Sequence, residues 1–372
     1  LTRMTTDVTD TGLGTIRAGI LGGGFMARVH RTAARDAGGE LRAVATRSAS
    51  GGRLAADELG AARAEVDAAA LLDADDIDVV HICTPNATHA ALALRALESG
   101  KHVICEKPLA TNAADARRLA ETAASRGRVG AVPFVYRYHP MVREARARVA
   151  RGDIGELLTL DCSYLQDWML HPTDDDWRVR SASGGSSRAF ADIGSHLCDL
   201  IEFVIGQRIS ALSARTRRVF DERAGQAVDT EDIVAILVET ESGALGTLLI
   251  SQMAAGRKNA LTLELHGSRQ TLRFEQERPE ELWIGMRDES RLLLRDPATA
   301  APESARLQRV PSGHAMGYQD AFNGFIADVY AAIGGANPEG LPTFEDGFRS
   351  AVLTEAVLAS AAADGRWTEV AA

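Results

Sequence analysis

Short apolar runs alternate with amphipathic patterns from residue 16 to about residue 134. Runs such as RAGIL, LRAVA, DVVHIC and HVIC have the length of buried strands. Segments between them, such as FMARVHRTAARD and AADARRLAETAAS, repeat apolar residues with the period of a helix. Strands separated by helices of this length predict βαβ units and a parallel sheet covered on both faces.

The pattern changes beyond residue 135. The segments EDIVAILVETESGALGTLLISQMA and ALTLELHGSRQTLRFEQ each predict two strands joined by a short turn, which pair antiparallel. Two amphipathic helices, GYQDAFNGFIADVYAAI and FEDGFRSAVLTEAVLASAA, follow. We therefore predict an α/β chain with a disordered tail (1–14), a doubly wound parallel-sheet domain (15–135) and an α+β domain (136–372) with an open, mostly antiparallel sheet.

Composition narrows the function. A formal net charge of −10 over 372 residues argues against nucleic acid or an anionic membrane as partner. The chain has no apolar run of about eighteen residues, so no transmembrane helix is expected. Four cysteines and nine histidines show no metal-ligand spacing, so we expect no metal site. Two cysteines in apolar runs favour reduced thiols and a cytoplasmic location.

The first predicted strand runs into GGGFMA, a G-x-G-x-x-A pattern that opens a helix. Gly22 permits the tight turn and Gly24 lets backbone approach a pyrophosphate, with Phe25 and Met26 completing the turn. A small residue, Ala27, lets the helix lie close to the strand. Glycine-rich turns also serve plain packing, but this strand–turn–helix setting predicts a dinucleotide site at the helix N-terminus.

The end of the second predicted strand bears on which dinucleotide binds. A carboxylate there accepts a hydrogen bond from the ribose 2′-hydroxyl of NAD. The stretch here is Thr46-Arg47-Ser48, which has no carboxylate and offers a guanidinium and two hydroxyls to a 2′-phosphate. We therefore expect NAD or NADP with a preference for NADP, although one arginine also stacks on adenine or simply lies exposed.

Two further strand ends carry polar motifs, TPNATH and EKP. Because ligands bind at the carboxyl ends of parallel strands, these motifs are expected to meet the coenzyme. A lone E-K-P is otherwise typical of a solvated salt pair in a turn. The candidate coenzyme residues from these motifs are Thr84, Pro85, Asn86, His89, Glu106 and Lys107.

A third motif lies in the largely apolar segment ADIGSHLCDLIEFV. At helical spacing, Asp192, His196 and Asp199 share one stripe, and the apolar residues form another. The helix is either simply amphipathic or a scaffold for an acid/base group.

Taken in order, GILGGGFMARVH, TPNATH, CEKP and DIGSHLCD resemble the Gfo/Idh/MocA oxidoreductases, over essentially residues 15–372. The resemblance implies a Rossmann domain, a sugar or cyclitol substrate, and a homodimer or homotetramer. It also implies that Lys107 reaches the substrate hydroxyl and that His196 is the general acid/base. Asp192, one helical turn before His196, would orient the imidazole. Asp199 would cap or brace backbone.

A polar loop, DWMLHPTDDDWRVRSASGGSSR, leads into that helix and is the candidate substrate loop. Trp168 and Trp177 would stack on a sugar ring, unless they only anchor the loop. Polar residues of the loop would bind ring hydroxyls, and residues at either edge would line the pocket. The candidates are Asp174, Asp175, Arg178, Arg188, Gln166 and Tyr136.

Three functions follow for comparison. The first is an NAD(P)-dependent dehydrogenase that oxidises a secondary hydroxyl of a sugar, anhydrosugar or cyclitol. The second is a glycoside hydrolase that keeps NAD bound and works by transient oxidation. The third is a dinucleotide-binding sensor without activity, which the presence of both Lys107 and His196 disfavours.

Overall fold

The computed structural model describes residues 15–371, so the tail predicted for residues 1–14 lies outside the described part. The first sheet has six strands in the order β3-β2-β1-β4-β5-β6, and every neighbouring pair is parallel. Its strands are β1 (Arg17–Leu21), β2 (Glu40–Ala45), β3 (Arg63–Ala64), β4 (Val79–Ile82), β5 (His102–Cys105) and β6 (Gly130–Ala131).

Helices cover this sheet on both faces, which is why its central strands read as continuous apolar runs. The strand order reverses between β1 and β4, and a crevice opens there at the carboxyl ends of the strands. The predicted doubly wound parallel sheet is confirmed. The connecting helices are α1 (Phe25–Asp36), α2 (Ala49–Leu59), α3 (Ala68–Asp73), α4 (His89–Glu98) and α5 (Ala113–Ser125).

The second sheet has nine strands in the order β16-β15-β14-β13-β7-β12-β11-β8-β17. Only β7 and β12 pair in parallel, so the predicted open, mostly antiparallel sheet is confirmed. A two-stranded ribbon, β9 with β10, lies outside it. These strands are β7 (Leu157–Leu165), β8 (Ile209–Arg217), β9 (Glu222–Arg223), β10 (Gln226–Ala227), β11 (Ile233–Thr240), β12 (Leu245–Ser251), β13 (Ala260–Gly267), β14 (Thr271–Glu275), β15 (Glu281–Gly285), β16 (Ser290–Leu294) and β17 (Thr368–Glu369).

One face of the second sheet packs on helices and the other does not. The covering helices are α6 (Pro140–Ala150), α8 (Ser195–Ile205) and α11 (Phe344–Ala362). On the other face, alternate positions of β11 and β12 place Leu237, Leu245 and Leu249 at the surface, each between 44% and 55% exposed. The period-2 pattern of these strands thus separates a buried face from an open apolar one.

The helix α10 (Tyr318–Ile333) belongs in sequence to the C-terminal half but packs on the first sheet. Its Phe325 and Val329 share an apolar cluster with Ala18 of β1 and Ile104 of β5. The predicted boundary near residue 135 stays a prediction. Two short helices, α7 (Ser181–Gly184) and α9 (Pro302–Ala305), complete the set. Within residues 15–371, no helix is both long and apolar enough to cross a bilayer.

Candidate active site

The carboxyl ends of β1, β4 and β5 meet the second sheet at a cavity of about 580 Å³. Most of the residues predicted to bind coenzyme or substrate line it. From the coenzyme set these are Gly24, Phe25, Met26, Thr84, Pro85, Asn86, His89, Glu106 and Lys107. From the substrate set they are Tyr136, Gln166, Trp177, Arg178, Asp192 and His196.

The glycine turn has the shape that a pyrophosphate requires. Gly22 has φ +115°, and a Cβ there would lie 2.5 Å from the carbonyl oxygen of Cys83. A Cβ on Gly24 would meet no atom within 4 Å, so the turn is open on that side. The first turn of α1 has no side-chain cap and no acidic residue, which leaves its backbone N–H groups available to an anion. These residues therefore fit a dinucleotide.

Alanine substitutions at Gly22 and Gly24 distinguish a role in folding from a role in coenzyme binding. Gly22→Ala should lower the free energy of unfolding by about 2 kcal/mol, because it combines a left-handed φ with a clash. Gly24→Ala should cost less than about 1 kcal/mol but weaken coenzyme binding, since the methyl group occupies the open side of the turn. Denaturant unfolding and titration calorimetry measure the two effects. Equal losses of stability in both variants would contradict this assignment.

The end of β2 lies beside the glycine turn but outside the cavity. The backbone N–H of Gly22 donates to the carbonyl of Ala45, and a Cβ on Gly23 would lie 3.3 Å from the Thr46 methyl group. Arg47 is exposed, and the Ser48 hydroxyl accepts from the Gly51 N–H at the start of α2. Gly22 therefore lies within the glycine turn, and Thr46 and Arg47 follow the strand end beside it. None of these three residues lines the cavity.

Lys107 and Asp192 form a partly buried ion pair across the cavity. The Lys107 Nζ lies 2.6 Å from the Asp192 Oδ1 and donates to the Asp192 backbone carbonyl at 2.7 Å. Gln252 donates to the other carboxylate oxygen at 2.8 Å, and Arg178 lies 3.5 Å from Oδ1. Burial alone would raise the pKa of Asp192, but the charges of Lys107 and Arg178 lower it to about 2. Asp192 is therefore an anion that fixes the Lys107 ammonium.

The peptide bond between Lys107 and Pro108 is cis. Asp192 lies in a π-helical turn, Phe190–Gly194, directly before α8. The Glu231 carboxylate accepts hydrogen bonds from the backbone N–H groups of Arg188 and Phe190 at the start of that turn. π-helical turns are often found at functional sites.

The wide turn corrects one expectation about Asp192. No hydrogen bond joins its carboxylate to the imidazole of His196, because both carboxylate oxygens face Lys107, Gln252 and Arg178. The charge of Asp192 raises the pKa of His196 against the larger effect of burial.

His196, on the first turn of α8, is 8% exposed and lines the cavity. Its buried Nδ1 has no hydrogen-bond partner within residues 15–371. The rings of Phe134 and Tyr136 pack against it edge-on, with centroids 5.7 and 5.0 Å away. Burial, together with the charge of Lys107, lowers the pKa of His196 well below its ordinary value, and the charge of Asp192 opposes this. The imidazole is therefore neutral near pH 7 and able to accept a proton.

A hydrogen-bonded wall of the cavity joins the predicted residues Tyr136 and Gln166 to two residues that sequence reasoning missed, Tyr164 and Asn259. The Tyr164 hydroxyl donates to Asn259 Oδ1 at 2.6 Å, and Asn259 Nδ2 donates to the Tyr136 hydroxyl at 3.1 Å. Gln166 Nε2 also donates to Asn259 Oδ1, at 2.9 Å. Tyr164 had a signal, since it lies two residues before Gln166 on β7 and alternate strand residues share a face. Asn259 had none.

Trp168 does not line the cavity. It is 37% exposed, and its indole N–H donates to the Gln166 Oε1 at 2.8 Å. This bond fixes which end of the Gln166 amide faces Asn259. Two aromatic residues of α10, Tyr318 and Phe322, line the cavity and had no local sequence signal.

Several other candidates support loops instead of meeting the cavity. Asp199 pairs through both carboxylate oxygens with Arg137, which also contacts Asp346, so it ties α8 to α11 rather than capping backbone. Arg188 is fully buried against Asp232. Asp174 accepts from the backbone N–H of His171, and Asp175 pairs with Arg180. Arg188, Asp174 and Asp175 therefore hold the substrate loop together.

Comparisons with known proteins match both halves of the chain to family models. Residues 16–134 match the model described as "Oxidoreductase family, NAD-binding Rossmann fold". Residues 142–273 match the model described as "GFO/IDH/MocA C-terminal domain".

Individual relatives cover most of the chain. A levoglucosan dehydrogenase of Pseudarthrobacter phenanthrenivorans is 29% identical over 95% of this chain and 98% of its own length. An inositol 2-dehydrogenase of Rhizobium meliloti is 30% identical over 74% of this chain and 80% of its own. A solved structure of a levoglucosan dehydrogenase in complex with NADH and levoglucosan superposes with a TM-score of 0.90. It shows 30% identity over 96% of this chain and 100% of that one.

Proposed function

Because the chain belongs to the Gfo/Idh/MocA family and is an NAD-binding oxidoreductase of the sugar and cyclitol dehydrogenase type, we propose that it oxidises a secondary hydroxyl of a sugar, anhydrosugar or cyclitol. The nicotinamide of the bound coenzyme accepts the hydride. One observation carries the proposal: the Lys107–Asp192 pair and the His196 imidazole, whose Nδ1 has no hydrogen-bond partner among residues 15–371, share one cavity with the glycine turn.

The chain's own residues supply the proton chemistry. The substrate hydroxyl must lose its proton as the carbon loses hydride, and the neutral imidazole of His196 accepts that proton. The ammonium of Lys107 donates a hydrogen bond to the same oxygen and stabilises the negative charge that develops on it. Asp192 holds the ammonium in place. The rings of Phe134 and Tyr136 pack against the imidazole and bury most of its surface.

The hydrogen-bonded wall of the cavity supports the proposed substrate class. Tyr136, Tyr164, Gln166 and Asn259 present hydroxyl and amide groups in one fixed network. Such groups suit a ligand with several hydroxyls, and Trp177 and Phe322 offer apolar surface beside them. The printed names of the relatives, levoglucosan and inositol dehydrogenases, agree in chemistry with a polyhydroxylated ring.

A substrate panel tests the proposal. Sugars, anhydrosugars including levoglucosan, and inositols are incubated with enzyme and either NAD or NADP, and reduced coenzyme is followed by its absorbance. We expect turnover with at least one ring alcohol that depends on added coenzyme. Cleavage of a glycoside without added coenzyme would replace this proposal by the hydrolase, and coenzyme binding without any turnover would replace it by the sensor.

For the coenzyme we propose a preference for NADP. The support is chemical: the end of β2 has no carboxylate, and the exposed Arg47 lies beside the hydroxyls of Thr46 and Ser48. A guanidinium and hydroxyl groups suit a 2′-phosphate better than a 2′-hydroxyl.

The coenzyme preference is tested by a pair of arginine variants. Arg47→Ala should weaken NADP binding about tenfold, since one charge-assisted contact is lost, and should leave NAD binding within about twofold. Arg53→Ala is the matched control, because Arg53 is exposed on α2 and carries the same charge. Calorimetric titration of both coenzymes measures the effect. Equal weakening of NAD and NADP, or equal effects of the two variants, would contradict the preference.

We further propose a homodimer or homotetramer and a cytoplasmic location. The open face with Leu237, Leu245 and Leu249 is the apolar surface available for assembly. The free thiols Cys83, Cys105, Cys162 and Cys198 suit a reducing compartment. Light scattering of the purified protein measures its oligomeric state, and a monomer at micromolar concentration would contradict the proposed dimer or tetramer.

A further inference from the structure

A chain of buried hydrogen bonds runs along one face of the first sheet, between the sheet and the helices α1 and α10, and ends at the cavity. His30 Nε2 lies 2.9 Å from Glu106 Oε1, His30 Nδ1 lies 3.0 Å from His81 Nδ1, and His81 Nε2 lies 3.1 Å from the Tyr330 hydroxyl. Both imidazoles are 0% exposed. The four residues come from α1, β4, α10 and the end of β5, and of the four only Glu106 lines the cavity.

The bonding pattern has one consistent direction when both imidazoles are neutral. An ionised Glu106 only accepts, so His30 donates through Nε2–H and its Nδ1 is an acceptor. His81 then donates through Nδ1–H, and its Nε2 accepts from the Tyr330 hydroxyl. Each neutral ring thus uses its one N–H and its one acceptor. Full burial disfavours a charged imidazole, and burial lowers the pKa of His81 well below its ordinary value.

Glu106 differs from the other carboxylate in the cavity. Asp192 faces Lys107 and Arg178, and Arg178 also pairs with Asp176. Within residues 15–371, Glu106 has no lysine or arginine within ion-pair distance, and the side chain that hydrogen-bonds to its carboxylate is the His30 ring. Its second oxygen accepts from the Lys107 backbone N–H at 3.3 Å. An ionised Glu106 therefore leaves a negative charge on the cavity wall that no basic side chain pairs with directly.

Resting on the proposed function, we propose that His30, His81 and Tyr330 are positioning residues that hold Glu106 ionised and fixed, so that the site favours the cationic, oxidised nicotinamide over the neutral, reduced one. The oxidised ring carries a positive charge and the reduced ring carries none, so a fixed carboxylate stabilises only the oxidised form. Although burial by itself would raise the pKa of Glu106, the hydrogen bond from His30 and the charge of Lys107 lower it.

The apolar surroundings couple the hydrogen bonds between these side chains to one another. Phe322 packs edge-on against His30, with ring centroids 4.9 Å apart, and itself lines the cavity. Breaking one link would leave a buried donor or acceptor unpaired at the next ring, so the tautomers change together.

The test compares affinities for oxidised and reduced coenzyme by calorimetry. Glu106→Gln should raise the ratio of the oxidised to the reduced dissociation constant about tenfold, and His30→Met by about fivefold. His30→Gln restores one donor and one acceptor, so the ratio should return to within about twofold of wild type. Tyr330→Phe should shift the ratio in the same direction. Tyr138→Phe, which removes a buried hydroxyl outside this chain, should not.

Nitrogen-15 NMR of the histidine side chains tests the chain directly and needs no coenzyme. We expect a neutral ring protonated at Nε2 for His30 and at Nδ1 for His81. An imidazolium at His30, or the reverse tautomers, overturns the inference even if His30→Met does not fold. An unchanged affinity ratio in Glu106→Gln and Tyr330→Phe also overturns this inference, but it does not contradict the proposed dehydrogenase function. Failure of the wild type to bind either coenzyme form overturns the proposed function itself.

Discussion

His196→Ala should lower kcat by about 10²–10⁴-fold, the range lost when a general base is removed, while the coenzyme dissociation constant stays within about twofold. The imidazole is the proposed base of the cavity, its Nδ1 has no hydrogen-bond partner in the described part of the chain, and it lies on α8 rather than on the glycine turn. Steady-state kinetics and calorimetric titration measure the two quantities. His171→Ala is the control, because His171 is an exposed histidine of the substrate loop.

The same residue fixes the pH dependence of alcohol oxidation. Because burial lowers the pKa of His196, its basic form persists below about pH 6.5, the ordinary midpoint of histidine. The acid limb of kcat/KM should therefore fall below that value, and His196→Ala should abolish the limb. A wild-type inflection at or above pH 7, or wild-type rates in His196→Ala, would contradict the assigned role.

Lys107→Met should lower kcat/KM by about 10²–10³-fold, since the ammonium stabilises charge that develops on the substrate oxygen. Asp192→Asn should cost about 10–100-fold, because it leaves the ammonium without its fixed anion. The two side chains act as one unit at 2.6 Å, so their effects should not add.

The double variant measures how far the effects of the two substitutions depart from additivity. Lys107→Met with Asp192→Asn should be no slower than Lys107→Met alone, because Asp192 acts mainly through Lys107. Thermal unfolding of all three variants checks that the fold survives, and Asp176→Asn is a matched control that removes a neighbouring carboxylate paired with Arg178. Additive losses in the double variant would show that Asp192 contacts the substrate independently.

The strands β1, β2, β4 and β5 of the first sheet were predictable from local sequence, whereas the two-residue strand β3 was not predicted. A buried parallel strand needs apolar residues on both faces, so runs such as VVHI and HVIC stand out from the helices around them. Lys107 and His196 were found for a related reason, since each follows a recognisable element in the order typical of the family. The parallel pairing of β7 with β12 had no such signal, because a strand's sequence does not state its partner.

The missed part of the site comes from distant segments. Tyr164 and Asn259 meet because β7 pairs with β13, where Leu165 lies opposite Ala260. No local pattern contains that register. The contacts of Asp192 were not predictable for a different reason: a helical wheel assumes 3.6 residues per turn, whereas Asp192 lies in a π-helical turn and its carboxylate contacts Lys107.

The crossing of α10 onto the first sheet makes the two halves of the chain interdependent. A recombinant fragment cut after residue 135 would lack Phe322, Phe325, Ile326 and Val329, which cover one side of the coenzyme sheet. Its exposed apolar side would favour aggregation. Exchange of substrate domains between relatives must therefore carry this helix with the coenzyme half, as a hybrid of two non-contiguous segments.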